Sequence, residues 1–459
     1  MSGRERLKLY ARIAGRALEQ YYGRLLFALL IALILAGSYA RVAEVYELQS
    51  YDWRFRLKPP PAISQDLVLV DIWDDSLESI GKWPFDRRYH AVLIEILRRY
   101  GAKVVGFDIV FPEPSPSDDL MAMAASQRGG VVLCEALDEP QSENGRVTAR
   151  KVLTPLVEPF QKAAEAIAHV NAVADIDGTR RRVAPLIDCV GKTYVHMGVL
   201  LAAMYLDVAP EDIRRGPDGS VHIGDRRRIP VDWEGNVFVN YAGRWGEAFR
   251  HVSYLQILTS FRQVENGETP DVDLRELEGK VCLVGLTSAG SHDVGSIPIQ
   301  ALYPQVGVHA SVFNNVVDGN FIQRAGNNVN LVILIVLLLL AILWAEFPRI
   351  RFGFLGAFLT WAGFVGLAVG LMAWRLRWID LFYPALAYLV VYLTSLLHRS
   401  MMEKKKRKLM ETELMIASKI QRSFLPASLP KTDLLEIAAF MEPAKHVGGD
   451  LYSALKIDD

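Results

Sequence analysis

The sequence predicts a mixed α/β domain held outside the cytoplasm, with one transmembrane helix before it and three after it, and then the start of a second, α+β domain. Three observations predict this arrangement. Uncharged apolar runs of membrane-crossing length occur once near the N-terminus and three times between residues 329 and 397. Basic residues crowd the N-terminus and the run Lys404-Lys405-Lys406-Arg407-Lys408. Between the first and second spans, β-branched alternating segments lead into segments of helical periodicity.

Composition narrows the function classes. The chain has 51 Lys+Arg against 52 Asp+Glu. A near-neutral balance argues against nucleic acid as a main partner, because a phosphate backbone selects for a basic surface. Cys134, Cys189 and Cys282 each lie in an apolar run, as small buried side chains do. No CxxC pair exists to support a zinc or redox motif.

The basic N-terminus covers residues 1–23 and the first span residues 24–43, centred on the run from Leu25 to Ala40. About 20 helical residues cross a hydrocarbon core of about 30 Å. Ser38-Tyr39-Ala40 resembles a signal-peptide cleavage site, whereas the long basic leader fits a retained anchor. Further spans are expected at 329–346, 352–374 and 379–397, with Ile379-Asp380 at the outer edge of the last. Gly366 and Gly370 form a small-xxx-small pattern suited to helix pairing. Positive charge places both the N-terminus and the lysine run in the cytoplasm, consistent with four crossings. Residues 44–326 then lie outside the cytoplasmic membrane, which in a bacterium is the inner membrane.

Within that outer region Asp66 to Ile72 reads as a strand, Asp86 as an N-cap, and Arg87 to Arg99 as an amphipathic helix ended by Gly101. Lys103 to Phe111 reads as the next strand, which completes a β-α-β unit. Lys280 to Leu286 and Gly307 to Val317 repeat the construction. Asp175-Ile-Asp177-Gly178-Thr-Arg180 is a turn signal inside an expected hairpin. Asp71, Asp74 and Asp75, with Asp108 and Glu113, follow the ends of two strands taken as neighbours. Carboxyl ends of parallel strands form the usual ligand crevice, so a cation or an amine is a candidate ligand. Capping and pairing with Arg54 or Arg56 is the structural alternative. His292-Asp293 and His309 flank one strand, but their spacing matches no metal-ligand motif.

Several of these segments together resemble the second type of CHASE domain, a family of extracytoplasmic sensors. They are Tyr51-Asp52-Trp53-Arg54-Phe55-Arg56, Asp71-Ile-Trp-Asp74-Asp75, Gly81-Lys-Trp83-Pro84, Phe107-Asp108-Ile-Val-Phe111, Asp177-Gly178-Thr-Arg180 and Gly307-Val308-His309-Ala310. The resemblance covers about Val45 to Gln323 and implies one span before the domain and three after it. It leaves the extracytoplasmic ligand unknown.

Residues 398–425 read as a juxtamembrane helix. Met402, Leu409 and Ile416 recur at intervals of seven, and Ile420 and Phe424 continue the face. Lys406 and Glu413 interrupt the seam, so a solvated helix whose lysines touch anionic lipid stands beside a homodimer-forming signalling helix. In residues 426–459, preceded by Ile420-Gln421-Arg-Ser-Phe424-Leu425-Pro426, the motif Val447-Gly448-Gly449-Asp450-Leu451-Tyr452 lets backbone approach an ion while one carboxylate points at it. With Pro443-Ala444, this stretch resembles the start of SpoIIE-like metal-dependent serine/threonine phosphatases. The resemblance implies a pair of Mn or Mg ions with Asp450 as one ligand, backbone approach at Gly448 and Gly449, and attack of an activated water on phosphoserine. It also implies an anti-anti-sigma-type regulator as substrate. About 35 residues cannot build such a domain, which needs on the order of 200, so the segment is expected to be incomplete and inactive alone. A non-catalytic membrane sensor or scaffold, and a nucleotide-cyclase output, are the alternative functions.

Overall fold

The computed structural model describes residues 26–288, 293–426, 437–441, 448 and 452–453. The chain forms two compact units, one of which contains Ala36–Leu331 and Phe364–Tyr383.

Helices α1 (Leu26–Tyr39) and α2 (Glu44–Leu57) open the described chain and are bent by 65° at their junction. Then come β1 (Leu67–Ile72), α3 (Asp74–Ile80), α4 (Arg87–Arg99), β2 (Val104–Asp108), α5 (Asp118–Arg128) and β3 (Val131–Glu135). A short hairpin, β4 (Gln141–Glu143) and β5 (Arg146–Ala149), precedes α6 (Glu158–Ala163), β6 (Ala166–His169) and β7 (Arg182–Val183). Next are β8 (Leu186–Cys189), β9 (Lys192–His196) and α7 (Met197–Tyr205). A small sheet of β10 (Ile213–Arg215), β11 (Val221–Ile223) and β12 (Arg227–Ile229) follows, then β13 (Val237–Phe238), β14 (Arg250–Ser253), α8 (Tyr254–Glu265) and β15 (Val281–Leu286). The hairpin β16 (Val294–Ile297) and β17 (Gln300–Pro304) leads to α9 (Val306–Asp318) and β18 (Gln323–Arg324). The chain continues through α10 (Asn327–Ala345), α11 (Ile350–Arg375), β19 (Arg377–Trp378) and α12 (Phe382–Ser423).

The main sheet has ten strands in the order β14-β1-β15-β2-β3-β6-β9-β8-β5-β4. The first seven are parallel. Strands such as β1 are apolar on both faces because both faces are covered. Leu67 and Leu69 face a layer that includes α7 and α9, and Val68 and Val70 face α4, α5 and α8. The β-α-β unit forms as expected, but its two strands are not partners. β15, from far along the chain, lies between β1 and β2. The Asp175–Thr179 turn closes by hydrogen bonds of 2.9 and 2.8 Å, yet no hairpin flanks it. β7 pairs with β13 instead, and the turn carboxylates of Asp175 and Asp177 bind Arg181.

Three helices after the α/β domain, α10, α11 and the first part of α12, are long and apolar enough to cross a membrane. The helix before it meets that test only as the bent pair α1 with α2. In the second unit, α10 and α11 touch closely where Gly356 meets the Trp344 ring, since a Cβ there would lie 2.5 Å from it. Trp344 Nε1 donates to Thr360 Oγ1 at 3.0 Å across the same contact. Among the described residues, a Cβ at Gly366 would meet nothing within 4 Å. Arg399 caps the end of α10 through the Ala345 and Phe347 carbonyls, where a helix dipole favours a cation.

Candidate functional site

The carboxyl ends of the parallel strands carry a row of polar groups. Asp71 pairs in register with Gly285 on one side and Ser253 on the other, and Gly285 pairs with Asp108. The two aspartates are therefore two strands apart, about 10 Å, and not on neighbouring strands as the sequence suggested. Val306 of α9 fills the space between them, because a Cβ at Gly285 would lie 2.8 Å from it. Asp71 meets His251 Nδ1 at 2.7 Å, and Asp75 accepts from the Ser253 hydroxyl at 2.6 Å. Asp74 is exposed in the first turn of α3. Neither proposed arginine joins them: Arg54 turns to Glu47, and Arg56 to the Pro298 carbonyl.

Asp108 instead faces a chain of imidazoles. The Gly198 amide donates to His196 Nδ1 at 3.2 Å, which puts the ring proton on Nε2. That nitrogen lies 3.1 Å from His309 Nδ1, and His309 Nε2 lies 3.6 Å from an Asp108 oxygen. Gly198 makes the meeting of α7 and α9 possible, since a Cβ would sit 2.3 Å from the His309 carbonyl. Burial, then the neighbouring His309 ring, holds His196 well below the usual histidine range. Burial likewise lowers His169 to about 3. Asp293, near Asp108, is pushed up to about 6 by burial first and by the Asp108 charge second. Both histidines, His169 and His196, are thereby held neutral, and Asp293 is the group of this set shifted towards neutral pH. Nucleophilic chemistry is disfavoured at Cys134, whose thiol burial pushes up. Among the described residues no group of three or more His, Cys, Asp or Glu is placed to hold a metal ion. His292 lies outside the described residues.

A second constellation sits where the α/β domain meets the ends of the apolar helices. The Glu47 carboxylate, 3% exposed, receives Arg54 Nη2 at 2.8 Å and the backbone N–H groups of Leu381 and Phe382 at 2.9 and 2.7 Å. A carboxylate at a helix N-terminus satisfies orphan donors and meets the positive end of the dipole. Glu47 of α2 thus caps α12, while Arg54 donates to the Ile379 carbonyl at 2.8 Å. Beside it Arg324 pairs with Glu44 and with Asp380, and its guanidinium lies 4.0 Å from the Trp378 ring centroid. Arg41 donates to Asn327 at 2.6 Å, and Asn330 accepts from the Asp380 amide at 3.2 Å. The start of α2, the start of α10, the turn after α11 and the start of α12 therefore share one polar hub. Sequence reasoning missed Glu47, Glu44 and Arg324. The available signal was isolated charges at the outer margins of apolar spans.

Along α12, Leu409, Ile416 and Ile420 are exposed, as is Phe424 just after it. Gln421 in its last turn grips Gly448 twice: its amide nitrogen donates to the Gly448 carbonyl, and its oxygen accepts from the Gly448 N–H at 3.0 Å. Gly449 and Asp450 lie outside the described residues.

A family model described as the CHASE2 domain matches residues 26–345. No curated protein and no solved structure matches the chain. The match spans the α/β domain, the bent pair before it and α10 after it, so the chain belongs to the CHASE2 domain family and carries that family's sensor domain.

Proposed function

We propose that this protein is a bacterial inner-membrane receptor whose outer domain controls a cytoplasmic metal-dependent serine/threonine phosphatase. The hub around Glu47 and Arg324 carries the receptor part of this reading. It joins the sensor domain to residues that begin or end the membrane helices, so a change in the domain has a direct mechanical route to α12. In this reading α1 is a fourth span and both termini are cytoplasmic, as the basic flanks favour. The exposed apolar face of α12 at Leu409 and Ile416 suits a homodimer.

The phosphatase reading rests on the residues from Ile420 to Tyr452 and their resemblance to SpoIIE-like enzymes. Asp450 would serve as a ligand to Mn or Mg, and Gln421 would hold the glycine two residues before it. The ions would activate water and neutralise charge on the phosphoryl group. A phosphorylated anti-anti-sigma-type regulator is the proposed substrate.

The test is a phosphoserine-peptide assay with Mn on the chain extended through whatever coding sequence follows the Asp459 codon. Activity that needs Mn and is lost in Asp450→Ala supports the assignment. Activity retained in that variant removes Asp450 from the metal site. Absence of any Mn-dependent activity rejects the phosphatase output.

A further inference from the structure

A cavity of about 320 Å³ opens beside the β4–β5 hairpin, a size within the range of small-molecule sites. One wall is aliphatic, formed by Val147, Val183 and Ile187. The other is charged: Asp175, Glu234 and Arg182 line it, together with Asn236. The Asn236 side-chain amide has no hydrogen-bond partner among the described residues.

The charge around this cavity is unbalanced. Arg182 is held by Asp175, Asp232 and Glu234. Asp175 also binds Arg181, which in addition pairs with Asp52 and Asp177. Five carboxylates thus share two guanidinium groups, and Arg180 turns its Nε to the Ala172 carbonyl instead. Burial pushes the Asp232 carboxyl above its ordinary range, a cost that another cation nearby would relieve.

The charged wall is also continuous with the membrane-proximal hub. Between Asp232 and Glu234 stands Trp233, with the Arg41 guanidinium 3.8 Å and that of Arg324 5.6 Å from its ring centroid. Glu234 itself lies within electrostatic reach of Arg41. Movement of the 232–234 turn therefore bears on the two arginines that tie α2 to α10 and to the start of α12.

We propose that this cavity is the signal-binding site of the outer domain, that it takes a small organic ammonium ion with an aliphatic body, and that Trp233 relays its occupancy to the hub. The ammonium group joins Glu234 and the Asn236 carbonyl oxygen, and the aliphatic body lies against Val147, Val183 and Ile187. The proposal rests on reading the chain as a transmembrane sensor, and its test uses no enzymatic output, so it stands or falls apart from the phosphatase reading.

The experiment is calorimetric titration of the full chain in lipid nanodiscs with n-butylammonium, butyrate and 1-butanol. Saturable binding of n-butylammonium is expected, at least tenfold tighter than that of the other two. Glu234→Gln removes the countercharge, and Val173→Phe narrows the cavity from its half-exposed rim. Each is expected to weaken binding about tenfold while the melting temperature stays near that of the parent. Trp233→Ala is expected to bind normally but to lose the ligand-dependent change in amide exchange over Glu44–Leu57. No binding of n-butylammonium, equal binding of butyrate, or unchanged affinity in both Glu234→Gln and Val173→Phe would overturn the site. An exchange response that survives in Trp233→Ala would overturn the relay.

Discussion

Buried histidines give the α/β domain a residue-scale sensitivity to acid. His90 is enclosed by Phe85, Phe107, Phe111 and Tyr254, and its Nδ1 lies 3.0 Å from the Tyr254 hydroxyl. Burial first, and then Arg87, lower it to about 3. His169 is lowered to about 3 as well. Above about pH 6.5 both are neutral in folded and unfolded chains alike, and cost nothing. Below that, the unfolded chain takes up protons that the folded one refuses, so stability is lost as pH falls towards 3. Each contributes about 2 kcal/mol of destabilisation at pH 5. Asp293 acts with the opposite sign: its raised value, about 6, means that the folded chain binds the proton first, which restores about 1 kcal/mol between pH 7 and pH 5. The net expectation is a lower melting temperature at pH 5 than at pH 7, with a shallower dependence in His90→Phe. An identical pH slope in that variant would show that His90 does not titrate on unfolding. The sequence contained these histidines without marking them as a set. His169, His196 and His309 come from β6, β9 and α9, and only sheet order and the closeness of Gly198 to α9 bring them together.

At the scale of elements, α12 is one 42-residue helix. It runs without interruption from the Glu47 cap, through an apolar segment, to the lysine run and the grip of Gln421 on Gly448. Its apolar and charged segments read separately in the sequence as a span and a linker, because hydropathy changes at His398 while helical propensity does not. Pro384, three residues into the helix, is tolerated in a first turn whose N–H groups have no intrahelical acceptor. Glu47→Ala removes both the cap and the countercharge of Arg54, which is 1% exposed. Loss of one partner of a buried pair costs about 3–5 kcal/mol. Denaturant unfolding of the full chain is expected to show a loss of this size, with part recovered when Arg54→Met is added, since the two effects are coupled. Strictly additive losses would mean that the pair does not act as a unit. Glu47 was not legible beforehand because it lies on a helix whose charges recur without an apolar stripe, and the backbone groups that it caps are over 330 residues away.

For the whole molecule, charge asymmetry predicts which side of the membrane each part occupies. Cys134, Cys189 and Cys282 are buried, so an introduced cysteine reports alone. Ile176 is 80% and Met415 56% exposed. A membrane-impermeant maleimide is expected to label Ile176→Cys in intact spheroplasts and Met415→Cys only after lysis. The reverse pattern would invert the topology. The sequence by itself determined the apolar spans after the domain, the α/β class and the family, because hydropathy, strand–helix alternation and short motifs are local properties read over a few residues. Tertiary structure alone decided that β15 enters between β1 and β2, that Asp71 and Asp108 serve different partners, and that Glu47 caps α12. Each joins groups 177 to 335 residues apart. The energy of such contacts arises only when the intervening chain has folded and excluded water, so no local pattern records them.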